Sequence, residues 1–314
     1  MSRVVALFLF ALVAACGDDT TQGATTGSGS GGNGGQSGEG GASATTLTST
    51  STDATTSSTG AAAPGALSIL TWNVEGFPKT SSAPAVVTAT IAERLPIVAA
   101  FEEVDSVGLL EQALDAVTDY DIVAENEPPF ALALAVDRGR AAILNSGSIF
   151  DGESYLFPRA PLVARIALTG TTFEVDVVVV HQKAQVDEES EQRRRDANDR
   201  LVAWCETRFA SSGAPIVLVG DFNDQVTDSP PNDVFGAFKA STAPAYWFLT
   251  APSEESGEHS YIPFTSYIDH QIATDNLRET FPNAQVAVLS LETQFDDYVS
   301  RVSDHRPVFV DFLP

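Results

Sequence analysis

From residue 66 onward, short apolar runs recur at 67–72, 97–101, 173–180, 215–219 and 306–312. Their length and their content of β-branched residues predict buried strands. Between some of them, apolar residues return every three or four positions, at 83–95, 107–117 and 188–209, which predicts helices. In the longest of these Leu201, Cys205 and Phe209 fall four apart and share a face, so Cys205 reads as a small buried hydrophobe. Alternating strand and helix patterns point to an α/β class, without separating parallel from antiparallel order.

Ahead of residue 66 the pattern is different. Residues 1–16 read MSRVVALFLFALVAAC: one cation, Arg3, then an apolar stretch too short to span a bilayer. This is the form of an export signal, and its ending, Leu12-Val13-Ala14-Ala15-Cys16, resembles the lipobox at which bacterial lipoproteins are diacylated on the cysteine. Residues 17–65 are almost wholly Gly, Ser, Thr and Ala, with Leu47 the one large apolar residue. Such a segment cannot build a core, and reads as a tether with a reach of roughly 40 Å. The expected organisation is therefore a signal at 1–16, a tether at 17–65 and one folded domain at 66–314, exported and held on a membrane through Cys16.

Composition narrows the chemistry. The chain carries 42 acidic and 17 basic residues, a formal net charge of −25, and most of that excess lies beyond the tether. Bulk electrostatics would repel a polyanion, so a phosphate-bearing substrate must be met by a local basic patch or a bound cation. Two cysteines in regions of different character exclude a disulfide scaffold. Four scattered histidines and the absence of His-Glu-x-x-His argue against zinc, and neither a Gly-x-Ser-x-Gly elbow nor a phosphate loop occurs.

What the apolar runs end in is more telling. They lead into Asn73, into Glu102 and Glu103, into His181, and into Asp221 with Asn223 two residues later; Asp269-His270 and Asp304-His305 flank the last segments. Strand ends are where α/β scaffolds assemble sites. The inventory of carboxylates, amides and imidazoles suits Mg2+ or another hard divalent ion, Mn2+ or Ca2+.

The ordered set Trp72-Asn73-Val74-Glu75-Gly76, Phe101-Glu102-Glu103-Val104, His181-Gln182-Lys183, Gly220-Asp221-Phe222-Asn223, Ile268-Asp269-His270 and Ser303-Asp304-His305-Arg306-Pro307-Val308 resembles the endonuclease/exonuclease/phosphatase superfamily. The resemblance covers residues 67–314. It implies a four-layer α/β sandwich, two packed and mostly antiparallel β-sheets flanked by helices. It also implies metal-assisted, in-line attack of water on a phosphodiester. Carried over by position, Glu103 is the principal Mg2+ ligand, with Asn73, Glu75 and Asp304 beside it. Asp221 orients or deprotonates the water, Asn223 holds the phosphate or that water, and His181 and His305 donate to the non-bridging oxygens, with Asp269 fixing the state of His305. Glu102 stands where this superfamily usually has Gln.

Among the few cations, Lys183 would share the face of His181 if the strand continued past it, and with Arg159 it is expected to bind phosphate. The run Arg193-Arg194-Arg195 reads as a solvated helix face, and His270, pointing away from Asp269 on a strand, as structural. The leading expectation is a monomeric, membrane-tethered phosphodiesterase acting on nucleic acid. A phospholipid phosphodiesterase or phosphomonoesterase on the same scaffold, acting on a lipid or a small phosphoester, is the alternative. A binding lipoprotein without catalysis is a third. Residues 235–248 offer the one aromatic-rich stretch that could serve a lipid surface, with packing as its expected role.

Overall fold

The computed structural model describes residues 65–125 and 130–314. The expected signal with Cys16, and all of the expected tether but its last residue, lie outside the described residues.

The first half runs β1 (Leu67–Phe77), α1 (Ala83–Arg94), β2 (Val98–Val104), α2 (Val107–Asp115), β3 (Tyr120–Glu125), β4 (Ala131–Asp137), β5 (Ala141–Ser148), β6 (Leu162–Leu168) and β7 (Glu174–His181). It continues through α3 (Glu188–Ser212), β8 (Ile216–Asp221), α4 (Gly236–Ala240), β9 (Tyr246–Phe248), α5 (Ala251–Glu255), β10 (Asp269–Thr274), β11 (Asn283–Val288), α6 (Tyr298–Arg301) and β12 (Val308–Leu313). These strands make two six-stranded sheets, in the orders β11-β12-β1-β2-β4-β3 and β5-β6-β7-β8-β10-β9. Each sheet has one parallel pair near its centre, β1 with β2 and β7 with β8, and is otherwise antiparallel. The crossovers of those parallel pairs are α1 and α3, the connection that parallel strands require.

Strand alternation sorts the apolar residues into layers. Leu67, Ile69, Val98, Ala100, Val175, Val177, Val179, Val217, Val219 and Val310 face one another in the core between the sheets. Leu70, Trp72, Ala99 and Phe101 point outward against Val87 and Ile91 of α1 and Leu110 and Leu114 of α2. On the far side Val178, Val180, Ile216 and Leu218 pack under Ala197, Leu201 and Cys205 of α3. The result is the expected four-layer sandwich, with Cys205 buried in it and its thiol pushed up to about 12 by that burial.

Helix α3 begins where Asp187 accepts the Ser190 amide at 3.0 Å and ends at Gly213 in the left-handed region, φ 66. The apolar pattern missed several strands for separate reasons. Every residue of β4 is buried, but its sequence ALALAVD is rich in alanine, a poor strand former. β6 is interrupted by Arg165, which is buried because Asp176 takes its guanidinium in two contacts of 2.7 and 2.9 Å and Arg208 closes the other side at 2.7 Å. β5 and β11 lie at the sheet edges and are largely half-exposed or exposed. The stretch 235–248 packs: Phe235 and Phe238 are buried on the outer face of the second sheet.

Candidate active site

The polar residues at the strand ends continue the inward-facing positions of the core. Val175, Val177 and Val179 lead to His181; Val217 and Val219 lead to Asp221; Ala273 and Gln271 lead back to Asp269; Leu67, Ile69 and Thr71 lead to Asn73. Register does the rest, pairing Asp221 with His181 on one side and with Asp269 on the other, and Asn73 with Glu102 in the opposing sheet. Two facing sheets thus present their polar ends into one cleft at a common end of the sandwich.

Across that cleft Asn73 Nδ2 donates to Asp221 Oδ2 at 3.1 Å and to Glu103 Oε1 at 3.2 Å, while its Oδ1 accepts the Glu75 amide at 3.0 Å. His181 Nε2 lies 3.5 Å from Asp221 Oδ2 and 3.7 Å from Glu103 Oε1. His305 Nδ1 contacts Asp269 Oδ2 at 2.9 Å and its Nε2 lies 3.9 Å from Asp221 Oδ2 and 3.7 Å from Asp304 Oδ1. The Asn223 amide donates to Asp221 Oδ1 at 2.9 Å, and Asn223 Nδ2 to the Gln182 carbonyl at 3.2 Å. Glu75 accepts the Asp304 amide at 2.7 Å through Oε2 and pairs with Lys79 through Oε1.

Backbone irregularities aim several of these groups. By alternation alone Glu103 would follow Phe101 to the helix side of its sheet. Instead the β2 ladder shifts register between Phe101 and Val104, with Glu103 at φ 59, and its carboxylate turns into the cleft. Glu75 at φ 45 and Asn223 at φ 55 are also left-handed, an uncommon state that persists only where surrounding structure enforces it. Gly220, φ 133, permits the tightest approach: a Cβ there would lie 2.0 Å from the Val180 carbonyl oxygen on the neighbouring strand.

The electrostatics are lopsided. Burial raises Asp221 to about 7 against the opposing influence of His305, and raises Asp304 to about 6. Burial works against charge on His305 too, but Asp269, Asp221 and Asp304 outweigh it and lift the imidazole to about 10. His181 is driven well below its ordinary value by burial, with Arg159 and His305 adding to the effect. Glu102 is wholly buried, which raises its carboxyl well above the usual range; Thr71 donates to one oxygen at 2.9 Å and the other has no partner among the described residues. Asp221, Asp269 and Asp304 crowd the charged His305 imidazole, with Glu75 and Glu103 on the other side of Asn73. Oxygen donors in such excess, two of them pushed toward protonation by burial, suit a hard divalent cation. The Asp221, Asp269 and His305 ligand atoms lie within 4.8 Å of one another.

Nine expected residues therefore converge: Asn73, Glu75, Glu103, His181, Asp221, Asn223, Asp269, Asp304 and His305. Arg159 lies near enough to depress His181, its guanidinium 5.2 Å over the Phe130 ring. Lys183 does not continue the strand face of His181, since β7 ends at His181 and residues 182–186 are irregular. The arginine run is not a solvated face throughout: Arg194 is buried, bonding Asp224 Oδ2 at 2.8 Å and the Lys183 and Gln185 carbonyls at 2.8 and 2.7 Å. It ties the loop after His181 to the loop after Asp221. His270 points outward, as alternation requires, bonding Thr250 Oγ1 and the Asp224 carbonyl, both at 2.9 Å.

Three further residues complete the site without a signal in the apolar pattern. Ser303 Oγ donates to the Asn73 carbonyl at 2.6 Å and accepts the His305 amide at 2.9 Å, joining β1 to the segment before β12. Ser260 Oγ accepts the Ile268 and Asp269 amides, both at 3.0 Å. The Tyr261 ring lies 4.9 Å from the His305 ring.

A family model described as Endonuclease/Exonuclease/phosphatase family matches residues 70–305. Among solved structures, the human Nocturnin catalytic domain with bound sulfate is similar at 15% identity and TM-score 0.60, over 79% of this chain and 94% of that one. TDP2 from D. rerio complexed with a single-strand DNA product is similar at 15% identity and TM-score 0.58, over 79% and 99%. An endonuclease/exonuclease/phosphatase family protein from Bacteroides thetaiotaomicron gives 15% identity and TM-score 0.56, over 78% and 94%. A search of the curated proteins found no significant match.

Proposed function

Because the chain belongs to the endonuclease/exonuclease/phosphatase family, we propose that its cleft is the active site of a metal-dependent phosphodiesterase whose substrate is nucleic acid. The observation that carries this reading is the meeting of Asn73 and Glu103 from one sheet with His181 and Asp221 from the other, within 3.1 to 3.7 Å where the sheets touch. Glu103, with Asn73, Glu75 and Asp304 around it, would hold Mg2+, or Mn2+ or Ca2+ in its stead. When bound, such an ion neutralises phosphate charge and polarises its oxygens.

The chain's own groups do the remaining work. Asp221, held by the amides of Asn73 and Asn223, orients water and takes its proton. Asn223 and Arg159 hold the phosphate. His181, neutral, donates through Nε2 to a non-bridging oxygen, and His305, kept charged by Asp269, meets the negative charge that grows there. Each such donor is worth about 10²–10³ in rate. The sulfate in the Nocturnin structure and the single-strand DNA product in the TDP2 structure support this choice of ligand class. Cys16 as a diacylated anchor and residues 17–65 as a tether would place the enzyme at a membrane outside the cytoplasm.

The test is a substrate panel with the full-length protein: single- and double-stranded DNA, RNA, sphingomyelin vesicles and inositol phosphates, with Mg2+ or with chelator. Chelator-sensitive cleavage of nucleic acid that falls by orders of magnitude in Glu103→Ala, Asp221→Ala and His305→Ala is expected. Undiminished cleavage in all three would reject the site, and turnover confined to lipid would move the substrate class. Cys16→Ala should release the protein from membranes; unchanged partitioning would reject the anchor.

A further inference from the structure

One side of the cleft is an aromatic pair that the chemistry above does not use. Tyr261 is bridged to His305 by strand-like pairing, and its ring lies 4.9 Å from the imidazole, inclined by 48°. Phe264 stacks on Tyr261, ring centroids 5.9 Å apart and planes within 24°. Phe264 is 74% exposed, although apolar rings of that size bury well over 100 Å² when they can.

The turn that carries this ring is pinned. The Tyr261 amide donates to the Ser266 carbonyl at 2.9 Å, the Ile262 amide to the Asp304 carbonyl at 2.9 Å, and the Arg306 amide to the Ser260 carbonyl at 2.7 Å. Thr265 at φ 51 closes it. A rigid turn thus displays an apolar ring one aromatic layer away from the imidazole that faces the reacting phosphate. The Tyr261 hydroxyl, raised to about 12 by burial and by Asp304, Asp221, Glu75 and Glu103, stays protonated and faces the same carboxylates.

We propose that Tyr261 and Phe264 form a stacking shelf for a nucleobase of single-stranded nucleic acid, next to the phosphate being cleaved. The inference rests on the nuclease reading and deepens it. A strongly acidic protein gains little from the phosphate contacts and counterion release on which duplex binders rely. Stacking is independent of charge and contributes strongly to binding of unpaired bases, which expose their faces as duplex bases do not. Phe264 then sets affinity for the base-bearing strand while His305 and Asp221 act on the phosphate.

The experiment compares a thymidine oligonucleotide with a base-free deoxyribose-phosphate oligomer of the same length. Full-length wild type, Phe264→Ala and Phe264→Trp are assayed with Mg2+. Phe264→Ala should raise KM for the base-bearing strand about tenfold with kcat within about twofold. KM for the base-free strand should stay unchanged, and Phe264→Trp should keep the wild-type KM. Equal KM on the base-bearing strand in wild type and Phe264→Ala overturns the shelf and leaves the nuclease reading standing. Equal rises on both strands also overturn it, as does a Phe264→Ala that only loses binding to sphingomyelin vesicles. Wild type that cleaves neither strand removes the nuclease reading itself, and the shelf with it.

Discussion

His305, from the segment before β12, and Asp269, at the start of β10 in the other sheet, meet Nδ1 to Oδ2 at 2.9 Å beside the Tyr261 ring. The Asp269 carboxylate is in turn fixed by register, since its strand partner is Asp221. This contact holds the imidazole charged far above neutrality, to about 10, against the cost of its burial.

The pH dependence of cleavage follows. Asp221 must be ionised to take a proton, so kcat/KM should rise as pH increases through the region around 7 to which burial lifts that carboxyl. It should fall again only as His305 loses its proton near 10. In Asp269→Asn the main influence raising His305 is gone, so the alkaline limb should move toward neutrality and the maximum should fall by about 10²-fold or more. A pH–rate profile of both proteins checks this, and an unmoved alkaline limb in the variant would remove Asp269 from that role.

Gly220→Ala should be severely destabilising. Its Cβ would meet the Val180 carbonyl oxygen at 2.0 Å, a backbone atom that cannot swing aside, at φ 133. A loss of about 3 kcal/mol or more is expected by urea denaturation. Gly213→Ala, at φ 66 with nothing within 4 Å, supplies the contrast: about 1 kcal/mol, from backbone strain alone.

Acid should unfold the protein partly through His270. Burial lowers this imidazole from 6.5 to about 4, only partly opposed by the Asp224 carbonyl that accepts from it. A histidine depressed in the fold contributes stability that is present above pH 6.5 and is lost as pH falls toward 4, because the unfolded chain takes up the proton first. The contribution is roughly 3 kcal/mol. His270→Gln should therefore lose less stability than wild type between pH 7 and pH 4.5, as read from unfolding midpoints at the two values.

Glu102→Gln should stabilise. This carboxyl is wholly buried and held well above its usual range, first by desolvation and then by Asp269, with one oxygen unpaired among the described residues. A raised folded value means that stability is full below pH 4.5 and declines above it, so removal of the titrating group should gain about 1–2 kcal/mol at pH 8. The gain should vanish near pH 4, and thermal melts across that range would reveal a gain of equal size at both ends if the explanation is wrong.

Much of the fold and the site was legible in the chain, and for a physical reason. A strand buried on both faces writes a short continuous apolar run into its sequence, so the runs ending in His181 and Asp221 announced their burial but not which face the residue at their end would take. Helices 83–94, 107–115 and 188–212 were equally readable from their spacing. The ordered motifs named residues that the fold brings together, and their meeting is a matter of register between strands far apart in sequence, such as Asn73 with Asp221. Alternation would also have sent Glu103 to the wrong face; a bulge that no local pattern encodes turns it back. Arg194 reads as one of three surface charges, and only the approach of Asp224 and two carbonyl oxygens makes it a buried brace. Local periodicity is fixed by which face a segment must bury, and so is carried by the sequence itself. Which distant strand lies opposite, where the ladder slips, and which charges find partners depend on packing of the whole chain, and these the tertiary structure decided.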